Sequence, residues 1–304
     1  MIGRENLFLM GEIEIKQNMN HNENSEKMNQ ITMLGTGNAT VSQIYNTCFV
    51  LQTSSTLMLV DAGGGNGILS QLKKVNVQIS DIHHLFVTHA HTDHVLGVIW
   101  VIRMVAQCKG YEGVPHVYGN DKVMKVIKTI IDMILAKKQL AKVAERVVFH
   151  QLEDGDCFEV GDMKLECFDI QSTKEKQFGF RAELPSSSAA ASSDDESGKP
   201  LVLACLGDEP YNEQNRRYIE GADWMMCEAF CLYADRDTFK PYEKCHSTAL
   251  DAGKLAEELG VKNLILYHTE EKTLANRKEN YTREAAENFK GRIFVPDDLE
   301  VIEL

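Results

Sequence analysis

The stretch Thr88-His89-Ala90-His91-Thr92-Asp93-His94 constrains this chain more than any other. It follows the apolar run Leu85-Phe86-Val87, which reads as a strand. It precedes Val95-Leu96-Gly97-Val98-Ile99-Trp100, which opens a helix with apolar residues on one face. Three imidazoles and a carboxylate thus lie between two rigid elements, the setting that a cluster of metal ligands needs. His89 and His91, two apart on an extended turn, can point their nitrogens at one ion, while Asp93 and His94 can face a second ion at the helix start. A solvated histidine-rich turn is the alternative, but it gives no reason for this ligand set to sit at a strand end.

The motif His89-x-His91-x-Asp93-His94 resembles the signature of the metallo-β-lactamase fold. Leu34-Gly35-Thr36-Gly37, Asp61-Ala62-Gly63-Gly64-Gly65 and His246-Ser247-Thr248 look most like the tRNase Z and phosphodiesterase branch of that family, over residues 30 to 304. The resemblance implies an α/β fold, a four-layer αββα sandwich with the metal site at one edge. It implies zinc, two ions, with manganese or iron as alternatives. By the same resemblance Asp61 supports the ligands through hydrogen bonds, and Asp208 bridges both ions. His268 completes the second ion's set with Asp93, His94 and Asp208. Glu228 orients His246, which protonates the leaving oxygen. Taken alone, Asp61 reads as a turn former, Gly207-Asp208 equally as a turn, and His246 as a helix-start histidine.

Two positions depart from the family pattern. Before Phe178-Gly179-Phe180, where relatives usually place a histidine for the first metal, this chain holds Gln171. An amide oxygen is a poorer zinc ligand than imidazole, which predicts a weaker first site. Relatives often carry histidine where Cys227 stands, whereas Glu228 is retained. Cys227 and Cys231 read as small buried residues.

A length of 304 residues with 43% hydrophobic and 25% charged residues suits one compact soluble domain. The net charge of -13 opposes a general nucleic-acid surface, because phosphate backbones are bound through Lys and Arg. The eight scattered cysteines, with no C-x-x-C pair, read as reduced thiols of a cytoplasmic protein. Residues 1–29 read as a disordered extension and 30–304 as a single hydrolase domain. Residues 185–200, rich in Ser, Ala, Asp and Glu, read as a flexible acidic hairpin tip. In tRNA-processing relatives an RNA-gripping arm occupies that interval, and an acidic Ser/Ala segment cannot serve as one. No apolar run approaches the length of a membrane span.

Along the chain, Asp121 to Ala144 reads as one amphipathic helix, Lys278 to Lys290 as another, and Ile293 to Leu304 as a closing strand region. His150 reads as a structural or surface histidine. The expected activity is a metal-dependent hydrolase acting on a small phosphodiester or ester through a metal-bound hydroxide. The alternatives are a lactonase or thioesterase, a tRNA 3′ endonuclease, and a catalytically impaired metal-binding relative. A homodimer is compatible with the sequence.

Overall fold

In the computed structural model, residues 29–186 and 198–304 are described. The extension at 1–29, save Asn29, and most of the acidic 185–200 segment lie outside them. Asn29 itself is buried: its Nδ2 donates to the Pro185 carbonyl at 2.7 Å, and its own carbonyl accepts the Leu304 N–H at 2.8 Å.

The strands alternate two kinds of buried side chain, and this alternation builds the layers. In β2 (Cys48–Gln52), Cys48 and Val50 point to one apolar cluster while Phe49 and Leu51 point to another. A strand buried on both faces must be covered on both. One sheet runs β14-β1-β2-β3-β4-β5-β6, comprising Val301–Glu303, Gln30–Gly35, β2, Leu57–Val60, His84–Phe86, His116–Gly119 and Val148–Gln151. The other runs β13-β12-β11-β10-β9-β8-β7, comprising Arg292–Phe294, Asn263–Tyr267, Trp224–Glu228, Leu201–Cys205, Phe178–Leu184, Met163–Asp169 and Cys157–Val160. Phe86, Phe180, Trp224 and Ile265 pack between the sheets.

Helices α1 (Gly67–Lys74), α2 (Thr92–Gln107), α3 (Asp121–Ile134) and α4 (Lys137–Arg146) cover the outer face of the first sheet. Helices α5 (Ala249–Glu258) and α6 (Arg277–Ala285) cover the second. The result is the four-layer αββα sandwich. In each sheet an antiparallel half gives way to parallel pairs, from β3 to β6 and from β10 to β13. Turns at the carboxyl ends of parallel strands line the crevice where such sheets carry their sites.

Two elements differ from the sequence expectation. The single helix at 121–144 is two, because Leu135 leaves the helix with φ -84° and ψ 140° to bury its side chain in the outer core. The expected closing strand region is two strands in opposite sheets. Pro296 offers no N–H to a ladder, Leu299 turns at φ 72°, and β14 then pairs with β1.

Candidate metal centre

Most residues of the cluster sit at the carboxyl ends of strands. Asp61 follows β3, His89 and His91 follow β4, Asp208 follows β10, Glu228 ends β11 and His268 follows β12. Asp93 and His94 form the first turn of α2, where a carboxylate complements the helix dipole. Two of these positions use the left-handed region, Asp61 at φ 54° and His268 at φ 59°. Non-glycine residues stay there only where surrounding bonds hold them.

Those bonds also orient the imidazoles. Asp61 accepts the Thr88 N–H at 2.9 Å on Oδ1, and on Oδ2 the Thr88 hydroxyl at 2.8 Å and the His94 Nδ1–H at 2.7 Å. With its proton committed to Asp61, Thr88 Oγ1 accepts from His89 Nδ1 at 2.9 Å. Thr47 Oγ1 likewise donates to the Gly37 carbonyl and accepts from His268 Nδ1, both at 3.0 Å. In all three histidines Nδ1 thus faces a protein oxygen and Nε2 is turned toward the cluster.

Asp208 Oδ2 lies 3.5 Å from His89 Nε2, 3.5 Å from His94 Nε2 and 3.6 Å from His268 Nε2. His91 Nδ1 is 2.9 Å from His89 Nε2. Asp93, His94, Asp208 and His268 each offer a ligand atom within 4.8 Å of one another, and His89, His91 and Asp208 form a second such group. The two groups share Asp208. His94 Nε2 and Asp208 Oδ1 are buried without a hydrogen-bond partner. Buried polar atoms are ordinarily satisfied, and imidazole with carboxylate is a donor set that suits zinc. The residues therefore fit a pair of divalent cations.

The electrostatics agree. Burial holds His89 well below the usual histidine range and lowers His268 to about 3, keeping both neutral. Burial also opposes charge on His94, but Asp61, Asp208 and Asp93 outweigh it and push that histidine up. Burial works against ionising Asp208 and Asp93, yet the histidines around them hold both carboxyls low. Two carboxylates held ionised in a buried space call for positive charge.

Beside this cluster, His246 stacks on Phe230 at 4.9 Å with the rings 7° apart, and its ring centre is 5.3 Å from that of His268. His246 Nδ1 and Glu228 Oε2 are 3.6 Å apart, both buried and unbonded, while Glu228 Oε1 accepts the Ser247 N–H at 2.5 Å. Gln171 stands apart. It is exposed at φ 61°, its backbone N–H rests on Asp169 Oδ1, and its side chain forms no hydrogen bond among the described residues. Cys227 and Cys231 are buried free thiols.

Sequence reasoning missed the support. Thr47, Thr88 and Arg277 carry no motif signal, since threonine and arginine occur everywhere. Arg277 is buried and donates to Thr36 Oγ1 at 3.1 Å, Thr269 Oγ1 at 2.9 Å and the Pro296 carbonyl at 2.8 Å. It ties the end of β1 to the turn that bears His268.

A family model described as Anti-Pycsar protein Apyc1 matches residues 29–209. A curated protein named Ribonuclease Z from Bradyrhizobium diazoefficiens is 24% identical over 274 residues, covering 78% of this chain and 88% of that protein. The metallo-β-lactamase fold protein YhfI from Bacillus subtilis superposes with a TM-score of 0.68 at 18% identity, covering 91% of this chain and all of YhfI. The short form of human tRNase Z superposes with a TM-score of 0.66 at 20% identity, covering 90% and 98%. The sandwich is thus the metallo-β-lactamase fold.

Proposed function

This chain belongs to the family of the anti-Pycsar protein Apyc1, and for it we propose a metal-dependent hydrolase that cleaves a small phosphodiester. The observation that carries the reading is the pair His246 and Glu228, set beside two ligand groups that share Asp208. Relatives named Ribonuclease Z and the likeness to human tRNase Z support phosphodiester chemistry.

Asp93, His94, Asp208 and His268 would hold one cation, and His89, His91 and Asp208 the other, with zinc the expected metal. Two such cations lower the pKa of water and neutralise charge on a phosphoryl group. The chain's own residues supply the rest. Asp61 and Thr88 hold His94 and His89 in the orientation that presents Nε2. Asp93, beside His94, orients the attacking water. His246 turns Nδ1 toward Glu228, holds a proton at Nε2 and gives it to the leaving oxygen. Phe230 fixes the plane of that ring.

A tRNA precursor is the second reading, favoured by the names of the relatives and opposed by the net charge of -13. A cytoplasmic location is in keeping with eight free thiols.

The test is metal content by elemental analysis together with turnover of bis(p-nitrophenyl) phosphate in zinc or manganese. Two ions per chain with turnover are expected. His246→Ala should lower kcat by about 100-fold while leaving the metal content unchanged. A fully loaded protein that cleaves thioesters or lactones but no phosphodiester would overturn the proposal, and efficient cleavage of a tRNA precursor would replace the small substrate.

A further inference from the structure

We propose that Lys174 is a positioning residue: it staples the strap between β8 and β9 to the loop that carries His246 and so sets the place of that imidazole. The inference rests on the reading of His246 as the proton donor.

The strap runs from Ile170 to Gln177 and is closed at its base, where the Ile170 N–H donates to the Gln177 carbonyl at 3.0 Å. It contains no histidine, so it has no imidazole with which to hold an ion. It is fastened by protein groups instead. Ser172 Oγ donates to Glu209 Oε1 at 2.8 Å and accepts the backbone N–H of Lys174 at 3.1 Å and of Glu175 at 3.2 Å. That turn fixes the backbone from which the Lys174 side chain departs. Lys174 Nζ then donates to the Lys244 carbonyl at 2.8 Å and lies 3.5 Å from Glu209 Oε1. Glu209 is buried and follows Asp208 directly. One ammonium therefore joins the turn of the shared carboxylate to the loop two residues before His246.

The far end of the staple leads to the imidazole through two ring contacts. Lys244 places its own ammonium over the Phe230 ring at 4.9 Å from the centroid, and Phe230 stacks on His246. Between them Cys245 is held at φ 53°, with its Sγ 3.6 Å from Thr173 Oγ1. A non-glycine residue leaves the left-handed region when its restraints go. Loss of the Lys174 donor frees the Lys244 carbonyl, lets Cys245 relax and releases His246 from its place beside Glu228.

The experiment compares zinc-loaded wild type with Lys174→Met, which keeps the stem and removes the donor, and with Lys174→Arg. In 15N-histidine protein, with the His246 signals assigned by their loss in His246→Gln, Lys174→Met should shift or broaden the His246 ring signals. Those of His84, His116 and His150 should stay in place. Alkylation of Cys245 by iodoacetamide should speed up about fivefold relative to the exposed Cys157 of the same chain. kcat on the phosphodiester should fall about tenfold with KM and zinc content unchanged, because a small misplacement of a catalytic group is costly. Lys174→Arg should restore all three. Unchanged His246 signals with unchanged Cys245 alkylation would overturn the proposal, and so would faster alkylation at full turnover. The spectroscopic and alkylation readouts need no substrate, so a wild type without phosphodiester turnover would sink the functional reading alone.

Discussion

A single carboxylate, Asp61, governs two of the candidate ligands. It holds His94 directly and His89 through Thr88, so its loss frees both rings at once. Asparagine tolerates the left-handed backbone of this position, so Asp61→Asn removes the charge and one of the two acceptor oxygens without straining the backbone. Zinc affinity, measured by competition with a chromophoric chelator, should fall about 10- to 100-fold while the thermal transition stays cooperative. Thr47→Val tests the same logic at His268, whose Nδ1 proton would lose its acceptor. Unaltered affinity in both variants would mean that the ligands orient themselves.

At the scale of the element, α2 can bring Asp93 and His94 to Asp61 only because it packs closely on the turn after β3. The Gly97 N–H donates to the Gly63 carbonyl at 2.8 Å, and a Cβ at Gly97 would lie 1.8 Å from the Ala62 carbonyl oxygen. Gly97→Ala must therefore push the helix away. It should cost about 1–3 kcal/mol in urea unfolding and weaken zinc binding as well, and a variant with full zinc affinity would show that the turn moves with the helix. Strands β4, β5 and β6 carry a different device. His84, His116 and His150 stack across them, and His116 Nδ1 is 2.8 Å from His150 Nε2. Burial, then the neighbouring His116, His83 and His150, lower His84 to about 4. The unfolded chain takes up this proton near pH 6.5, and the folded chain only near 4. Stability should thus be complete above pH 6.5 and decline as pH falls from there to about 4. His84→Gln should flatten that part of a plot of urea midpoint against pH.

Across the whole molecule, Arg277 joins parts that are distant in the chain. It reaches from α6 to Thr36, Thr269 and Pro296, and pairs with Asp297 at 2.9 Å, next to Asp298, which accepts the Thr36 N–H and the Tyr45 N–H. Arg277→Met would bury acceptors that have lost their donor. It should destabilise the protein by about 2–4 kcal/mol, read from urea unfolding. Loss of zinc affinity in the same variant is expected, because the turn after His268 is one of its anchors.

Individual strands and helices were legible in the sequence because apolar runs and apolar stripes are local patterns, whereas the αββα layering came into view only by resemblance. The cluster His89 to His94 was legible for a similar reason, since four ligand-type residues within six positions are close in space whatever the rest of the chain does. Asp61, Asp208, Glu228, His246 and His268 came into view only by resemblance, because residues tens to hundreds of positions apart carry no local sign of meeting. The break at Leu135 and the division of the closing segment between the two sheets went unread: burial in a core formed by remote elements overrode the local helical and strand signals. Tertiary structure alone decided which hydroxyl faces each imidazole, why Gln171 faces water, and how Lys174 reaches from the strap to the Lys244 carbonyl. Each of these depends on angles and distances of a few ångströms that exist only once both sheets have packed.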